Sequence, residues 1–515
     1  MSHPKGLYLL FMTEMWERFS YYGMRALFIL FLVKAVLFTK ADASNLYGSF
    51  TGMVYLMPLL GGYISDRYWG NRRSIVVGGV LMAVGHFLLF VSASCLGTPN
   101  CLHFLYGGLF FLCLGNGFFK PNISTMVGQL YPEKDPRVDS AYTIFYMGIN
   151  VGAFFSPLVC GSLGDTGAVE DFRWGFLAAC ADMLVGVGIF LAFSNRYLVT
   201  AEGSAIGLAP VRIPKNTSHD EHVQKLLDAP NGKGNPLVKP AAMLAAFAVL
   251  FLLFFSALDQ DAIGSLIFSA CVVIPVFIVT DPSLTPVERR RILVIYILAF
   301  FVIFFWAAYE QAGASITLFT DEVVDRRVGD SVVPTSFFQS LNPIYIVLLA
   351  PLMSVLWTKL ESLGVRFSIC QKQAAGILLL SVSFAILAYA SNDLGPGTGV
   401  SMLWVLFFYF IYTVGELCLS PIGLSMVAKL SPARFVSLLM GVWLMSSAAA
   451  QKLCGTLSAL YPSRDEQTGQ ILETDFFGYH IANTHDYFML FVSFTLLASL
   501  LLFVLCRKLN KMMEE

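Results

Sequence analysis

Residues 13–28 read TEMWERFSYYGMRALF and carry Glu14, Glu17, Arg18 and Arg25 in an otherwise apolar neighbourhood. Carboxylates and guanidinium groups this close can pair with one another, or can hold and release a proton beside a charged ligand. In an α-helix each residue advances about 100°, so with Glu14 at zero Arg18 falls near 40°, Arg25 near 20° and Tyr21 near 340°. Glu17 and Tyr22 flank that stripe at roughly 300° and 80°. All the charges therefore share one broad face. Ionised groups are expensive inside a bilayer, and they pair or line a pathway. The stripe predicts a polar wall turned toward an interior cavity.

The elements that would carry such a wall are apolar helices. The chain has 515 residues, 57% hydrophobic and only 13% charged, about half the charge of an average soluble domain. Apolar runs recur at 75–93, 242–257, 265–280, 292–308 and 487–506. Each approaches the roughly 20 residues that cross a hydrocarbon core. They are continuous rather than alternating, which excludes a β-barrel. The expected class is an all-α polytopic membrane protein with helices near 7–37, 44–67, 73–95, 103–127, 138–162 and 173–197. A pair follows at 240–258 and 263–280, then helices at 290–319, 337–358, 368–391, 400–428, 434–460 and 484–508. Residues 7–37 read as a spanning helix and not as a removable signal peptide, because no small-residue cleavage site follows a short apolar region. Arg67, Arg72, Arg73, Lys134, Arg137, Arg289 to Arg291, Lys359, Arg366, Lys429, Arg434, Arg507, Lys508 and Lys511 fall in alternate connections. That bias puts both termini on the cytoplasmic side. The expected division is an N-terminal six-helix bundle at 1–197, a polar cytoplasmic linker at 198–239, the inserted helix pair at 240–280, and a C-terminal six-helix bundle at 281–515.

A net charge of −1 argues against a nucleic-acid partner. The ten cysteines show no zinc-type pairing, so no metal is expected. Cys95 and Cys101 share the short connection CLGTPNC, where an oxidising compartment would permit a disulfide. No HExxH and no nucleophile–base set points to a membrane enzyme.

Residues 61–73, GGYISDRYWGNRR, fit the G-x-x-x-D-R-x-x-G-x-[RK]-[RK] pattern of major facilitator transporters through Gly62, Asp66, Arg67, Gly70, Arg72 and Arg73. EMWERFSYY resembles the E-x-x-E-R-F-x-Y-Y signature of the proton-dependent oligopeptide transporter family. GNGFFKPNIS and FYMGINVGAF resemble that family's fourth- and fifth-helix stretches, and FWAAYEQAG and GELCLSP extend the likeness toward the C-terminus. The resemblance implies a major facilitator fold of twelve core helices plus two inserted ones. It implies proton-coupled import of di- and tripeptides by alternating access, with protons as coupling ion and no cofactor. Glu14, Glu17, Arg18, Lys120 and Glu310 would serve proton coupling. Tyr21, Tyr22, Arg25, Tyr55, Lys120, Asn150, Trp306, Glu310, Asn342, Glu416, Ser420 and Trp443 would bind peptide. Arg25 with Glu310, and Lys120 with Glu416, would be the alternating gate pairs. His86 lies on the third helix, not the second, and reads as structural. The short connection SNDLGPGTG and the inserted pair resemble prokaryotic members, which implies a prokaryotic cytoplasmic membrane, a lipid bilayer as surroundings and a functional monomer. The inserted pair has few internal charges and no transport role is expected of it. A relative moving nitrate or another small solute, and a peptide sensor that does not transport, remain the alternatives.

Overall fold

The computed structural model describes residues 3–132, 135–200, 203–209, 238–365, 367–392, 399–419, 423–432, 435–464 and 471–514. Six helices come first: α1 Lys5–Leu30, α2 Lys40–Ile64, α3 Asn71–Ser94, α4 Asn100–Gln129, α5 Val138–Gly164 and α6 Phe172–Tyr197. The inserted pair is α7 Val238–Ser256 and α8 Ala262–Val279. Then follow α9 Pro286–Tyr309, α10 Ser315–Glu322, α11 Leu341–Ser362, α12 Ile369–Ala390, α13 Met402–Leu419, α14 Gly423–Leu430, α15 Val436–Ser458 and α16 Thr484–Glu514. Strands among the described residues are two or three residues long and pair only in two-stranded pieces, such as Thr474–Phe476 with Tyr479–Ile481.

Among the described residues, ten helical segments are long and apolar enough to cross a membrane. The helices α1, α2 and α15 are not among them, and each carries polar groups that the interior uses. Along α2 and α15, Ser44 and Ser458 share a 3.0 Å hydrogen bond. A Cβ on Gly48 would come within 2.6 Å of the Gly455 backbone. Where lipid tails supply no hydrophobic drive between helices, small residues that allow such close approach hold the contact.

Capping residues set several starts. Thr285 and Glu288 form a reciprocal capping box with Pro286 in the first turn of α9, and Ser368 with Gln371 does the same for α12. Two features depart from the pattern of the sequence. The helix expected over 290–319 breaks: a 3₁₀ turn, Glu310–Gly313, separates α9 from α10. The linker expected over 198–239 is also less loose at its start than its composition suggests. Arg72 is buried and donates to the carbonyls of Leu198 at 2.5 Å and Ile206 at 2.7 Å. It therefore caps the end of α6 rather than merely adding charge to a loop. Gly70, at φ 75°, lets the backbone of Leu208 pass where a Cβ would sit 2.4 Å from it. Residues 210–237 of the linker and the charges Lys134, Arg366 and Arg434 fall outside the described residues. Cys95 and Cys101 are free thiols, each against Ser92.

Candidate functional site

A cavity of about 280 Å³ lies between α1, α2, α4 and α5 on one side and α9, α11 and α13 on the other. Glu14, Arg18, Tyr22 and Arg25 reach it from α1, Tyr55 from α2, Lys120 from α4, and Asn150 and Tyr146 from α5. From the second half come Trp306, Tyr309 and Glu310, then Asn342 of α11 and Tyr409, Tyr412 and Glu416 of α13. The charged lining is three carboxylates, Glu14, Glu310 and Glu416, and three cations, Arg18, Arg25 and Lys120.

The α1 stripe folds as its spacing predicts. Arg18 Nε lies 3.0 Å from Glu14 Oε1 and also pairs with Glu17. Glu17 is fully buried, and its Oε1 accepts from Asn116 Nδ2 at 3.2 Å. Glu14 Oε2 and Arg18 Nη2 have no hydrogen-bond partner among the described residues. Glycines position the neighbours of this stripe. A Cβ on Gly152 would sit 2.3 Å from the Met15 carbonyl, and one on Gly148 would crowd Phe11, so α5 can lie directly on α1. A Cβ on Gly61 would meet the Gly117 carbonyl at 2.0 Å, which fixes α4 against α2. The GNG and GINVG segments thus act first as close-packing surfaces. That packing brings Lys120 and Asn150 to the cavity wall.

Lys120 Nζ lies 4.1 Å from the centre of the Tyr55 ring, a cation–π contact in a desolvated setting. It makes no ion pair with Glu416 in this structure. Glu416 Oε2 instead accepts from Tyr309 Oη at 2.5 Å and Asn342 Nδ2 at 2.9 Å. Asn342 also donates to Thr413 Oγ1 at 3.1 Å.

The other cross-half pair is formed. Arg25 Nη2 donates to Glu310 Oε2, and Arg25 Nε donates to Tyr47 Oη at 2.6 Å. Gly313 makes room for this arrangement: a Cβ there would lie 2.1 Å from Tyr47 Oη and 2.8 Å from Arg25 Nε. The broken helix and the ion pair belong together, because the turn Glu310–Gly313 brings its backbone up to the guanidinium.

Some residues expected at the site do not reach it. Glu17 and Tyr21 are buried behind the wall, Tyr21 edge-on to Tyr22 at 5.5 Å between ring centres. Trp443 lines a separate small pocket with Val302, Ile369 and Gln373. Ser420 lies outside the described residues. His86 is fully buried on α3, away from the cavity, with no partner on either ring nitrogen among the described residues. Conversely, Tyr47, Tyr309, Tyr409, Tyr412 and Gly313 were not singled out. Tyr409 and Tyr412 lie seven and four residues before Glu416, so helical periodicity from that carboxylate marks both. Tyr47 had no such signal.

The model of the POT family matches residues 72–212 and 238–473. The chain is 35% identical over 467 residues to the peptide transporter YePEPT of Yersinia enterocolitica, covering 88% of each chain. It is 31% identical to a dipeptide and tripeptide permease A of Erwinia pyrifoliae, over 93% of this chain and 90% of that one. A crystal structure of a peptide transporter POT in complex with sulfate superposes with a TM-score of 0.79 at 29% identity, covering 100% of this chain and 97% of the other. Another, a POT family transporter in complex with a thioalcohol conjugated peptide, gives 0.76 at 30% identity, covering 99% and 97%. The fold is therefore the all-α major facilitator architecture, the chain is a multi-pass membrane protein of a transporter family and not an enzyme, and it belongs to the POT family.

Proposed function

We propose that this chain is a proton-coupled symporter that imports di- and tripeptides by alternating access. The observation that carries the reading is the charge-balanced cavity of three carboxylates and three cations, with Arg18, Arg25, Lys120 and Glu14 on the first half facing Glu310 and Glu416 on the second. A zwitterionic ligand with an ammonium at one end and a carboxylate at the other complements both signs. Charge-assisted hydrogen bonds are roughly twice as strong as neutral ones, so such a wall favours free termini. The names of the peptide-transporting relatives point the same way.

The peptide carboxylate goes to Arg25 and Lys120, and its ammonium to Glu416, with Asn150 and Asn342 assisting. Tyr22, Tyr55 and Trp306 hold side chains loosely, which gives broad selectivity. Arg25–Glu310 is the closed gate of this state, and Lys120–Glu416 is the pair that closes in the other. Glu14, Glu17, Arg18, Lys120 and Glu310 carry proton coupling. A buried carboxylate stays ionised while a cation sits beside it, and takes a proton once that cation is recruited elsewhere. Protons are the coupling ion, and no cofactor is needed. The setting is the inner membrane of a prokaryote, with both termini cytoplasmic and the monomer as working unit.

Protein reconstituted in liposomes tests this. Labelled dialanine accumulates when the outside is acidic or the inside negative, and excess tripeptide competes. Absence of accumulation, with uptake of nitrate instead, overturns the peptide reading.

A further inference from the structure

Glu416 and Glu310 have separate jobs in the reading above, yet one residue touches both. Tyr309 donates its hydroxyl to Glu416 Oε2 at 2.5 Å, and its own backbone leads directly into Glu310. It is the last residue of α9, and the 3₁₀ turn starts at Glu310. The Tyr309 carbonyl accepts from Tyr412 Oη at 2.7 Å, and the two rings stack at 4.1 Å between centres with 14° between planes. Its edge also meets Trp306 at 5.0 Å. Tyr309 is thus fixed to α13 through its hydroxyl, its ring and its carbonyl, and Tyr412 is four residues from Glu416 on the same helix face.

We propose that Tyr309 is a positioning residue that couples ligand occupancy at Glu416 to the Arg25–Glu310 pair. This coupling rests on the reading of Glu416 as the ammonium site and Glu310 as the gate. Oε2 of Glu416 already carries two neutral donors, Tyr309 and Asn342. An arriving ammonium brings a full positive charge against the carboxylate, which the neutral phenol does not, and displaces the phenol. Once its hydroxyl is released, Tyr309 keeps only the ring stack and the carbonyl bond to Tyr412, so the end of α9 is tied less firmly to α13 and the turn bearing Glu310 leaves Arg25 more readily. An empty site keeps the phenol on Glu416 and holds the turn, so the gate stays shut to protons that arrive without peptide. Two sites joined by one element with two arrangements are what allosteric coupling requires.

The test is Tyr309→Phe in liposomes, beside the unsubstituted protein. The substitution keeps the stacked ring and removes only the hydroxyl. Three readouts are taken with dialanine: proton-driven accumulation, peptide counterflow, and peptide-independent proton entry followed by a dye trapped inside. With the phenol gone, dialanine half-saturates at lower concentration, the ratio of accumulation to counterflow falls about tenfold, within the usual range of coupling between sites, and proton entry without peptide rises. An unchanged ratio with unchanged proton entry overturns the proposal. So does an equal fall in accumulation and counterflow, which marks Tyr309 as a wall of the cavity and no more. N-acetyl-dialanine separates the two readings. If it competes as well as dialanine in the unsubstituted protein, the ammonium reading itself has failed and the coupling with it. If the unsubstituted protein discriminates and Tyr309→Phe keeps its ratio, only the coupling has failed.

Discussion

Gly313 has no charge to announce it, but the Arg25–Glu310 pair depends on it. Tyr47 is fully buried and its ring stacks near Phe28 at 6.2 Å, so its hydroxyl has little room to retreat. An alanine methyl at 313 would press on that hydroxyl and on Arg25 Nε at once. Gly313→Ala is therefore expected to lower proton-driven uptake about tenfold, the size of a coupling free energy near 1.4 kcal/mol. Tyr47→Phe removes the pressed oxygen, so the double variant is expected to recover part of the loss. Additive losses in that cycle contradict the steric account. The charges of this site were legible because an ionised group in an apolar run needs a reason. Glu14, Arg18 and Arg25 declared their shared face by spacing alone, and the family signature added Lys120, Glu310 and Glu416. Gly313 and Tyr47 were illegible for the opposite reason: a glycine admitting a neighbour and a tyrosine accepting from an arginine look like ordinary membrane-helix residues until the partner is known. Trp443 erred the other way, since an aromatic in a membrane helix can pack a side pocket as readily as a cavity.

Among the elements, the contact of α1 with α5 decides where the ionic stripe points. Gly152 faces backbone, the Met15 carbonyl at 2.3 Å and the Phe19 nitrogen at 3.0 Å from a built Cβ, and backbone cannot swing aside. Gly152→Val is expected to force the two helices apart, at about 1–3 kcal/mol or more for an overpacked interior. Thermal unfolding in detergent measures it as a fall in midpoint, and uptake falls with it. Gly188→Ala on α6 is the control, because nothing lies within 4 Å of its added methyl. A midpoint unchanged by Gly152→Val contradicts this packing account. Helix existence was readable from apolar run length, and most ends lie within a few residues of those expected. The break at Glu310–Gly313 was not readable, since no proline marks it and the apolar character continues through Ile316 and Leu318. What stops α9 there is tertiary: Arg25 and Tyr47 press from α1 and α2 at that level. The short strand pairs, 463–464 with 471–472 and 474–476 with 479–481, were missed as well, because they follow no sustained alternation.

At the scale of the molecule, the two halves are clasped in more than one layer. Beyond Arg25–Glu310, Lys34 Nζ pairs with Asp321 Oδ1 at 2.6 Å and Lys40 Nζ with Glu322 Oε2 at 2.8 Å. Asp165 also accepts from the backbone and hydroxyl of Ser336, at 3.0 and 3.2 Å. Each of these contacts joins the α1–α6 half to the later half near the connection between α1 and α2 or between α5 and α6. The inner pair is nearly dry, whereas the Lys34 side chain is 36% exposed and that of Glu322 is 35% exposed. Exposed pairs contribute about 0.2–1 kcal/mol each and weaken with salt. The outer layer therefore trims the balance between closed and open states and leaves the commitment to the inner pair. A protein with Lys34→Gln and Lys40→Gln together is expected to shift that balance by up to about thirtyfold toward opening on this side, as two such pairs summed imply. Alkylation reads the shift directly. Ala153 lines the cavity, so Ala153→Cys in a Cys95→Ser background reports access by an impermeant maleimide added at that face. Its labelling rate should rise in the double variant, and raising the salt should raise it in the parent toward the same value. If the rate stays fixed in the variant while Glu310→Gln alone increases it, the outer contacts carry no share of the closure and the inner pair holds it entirely.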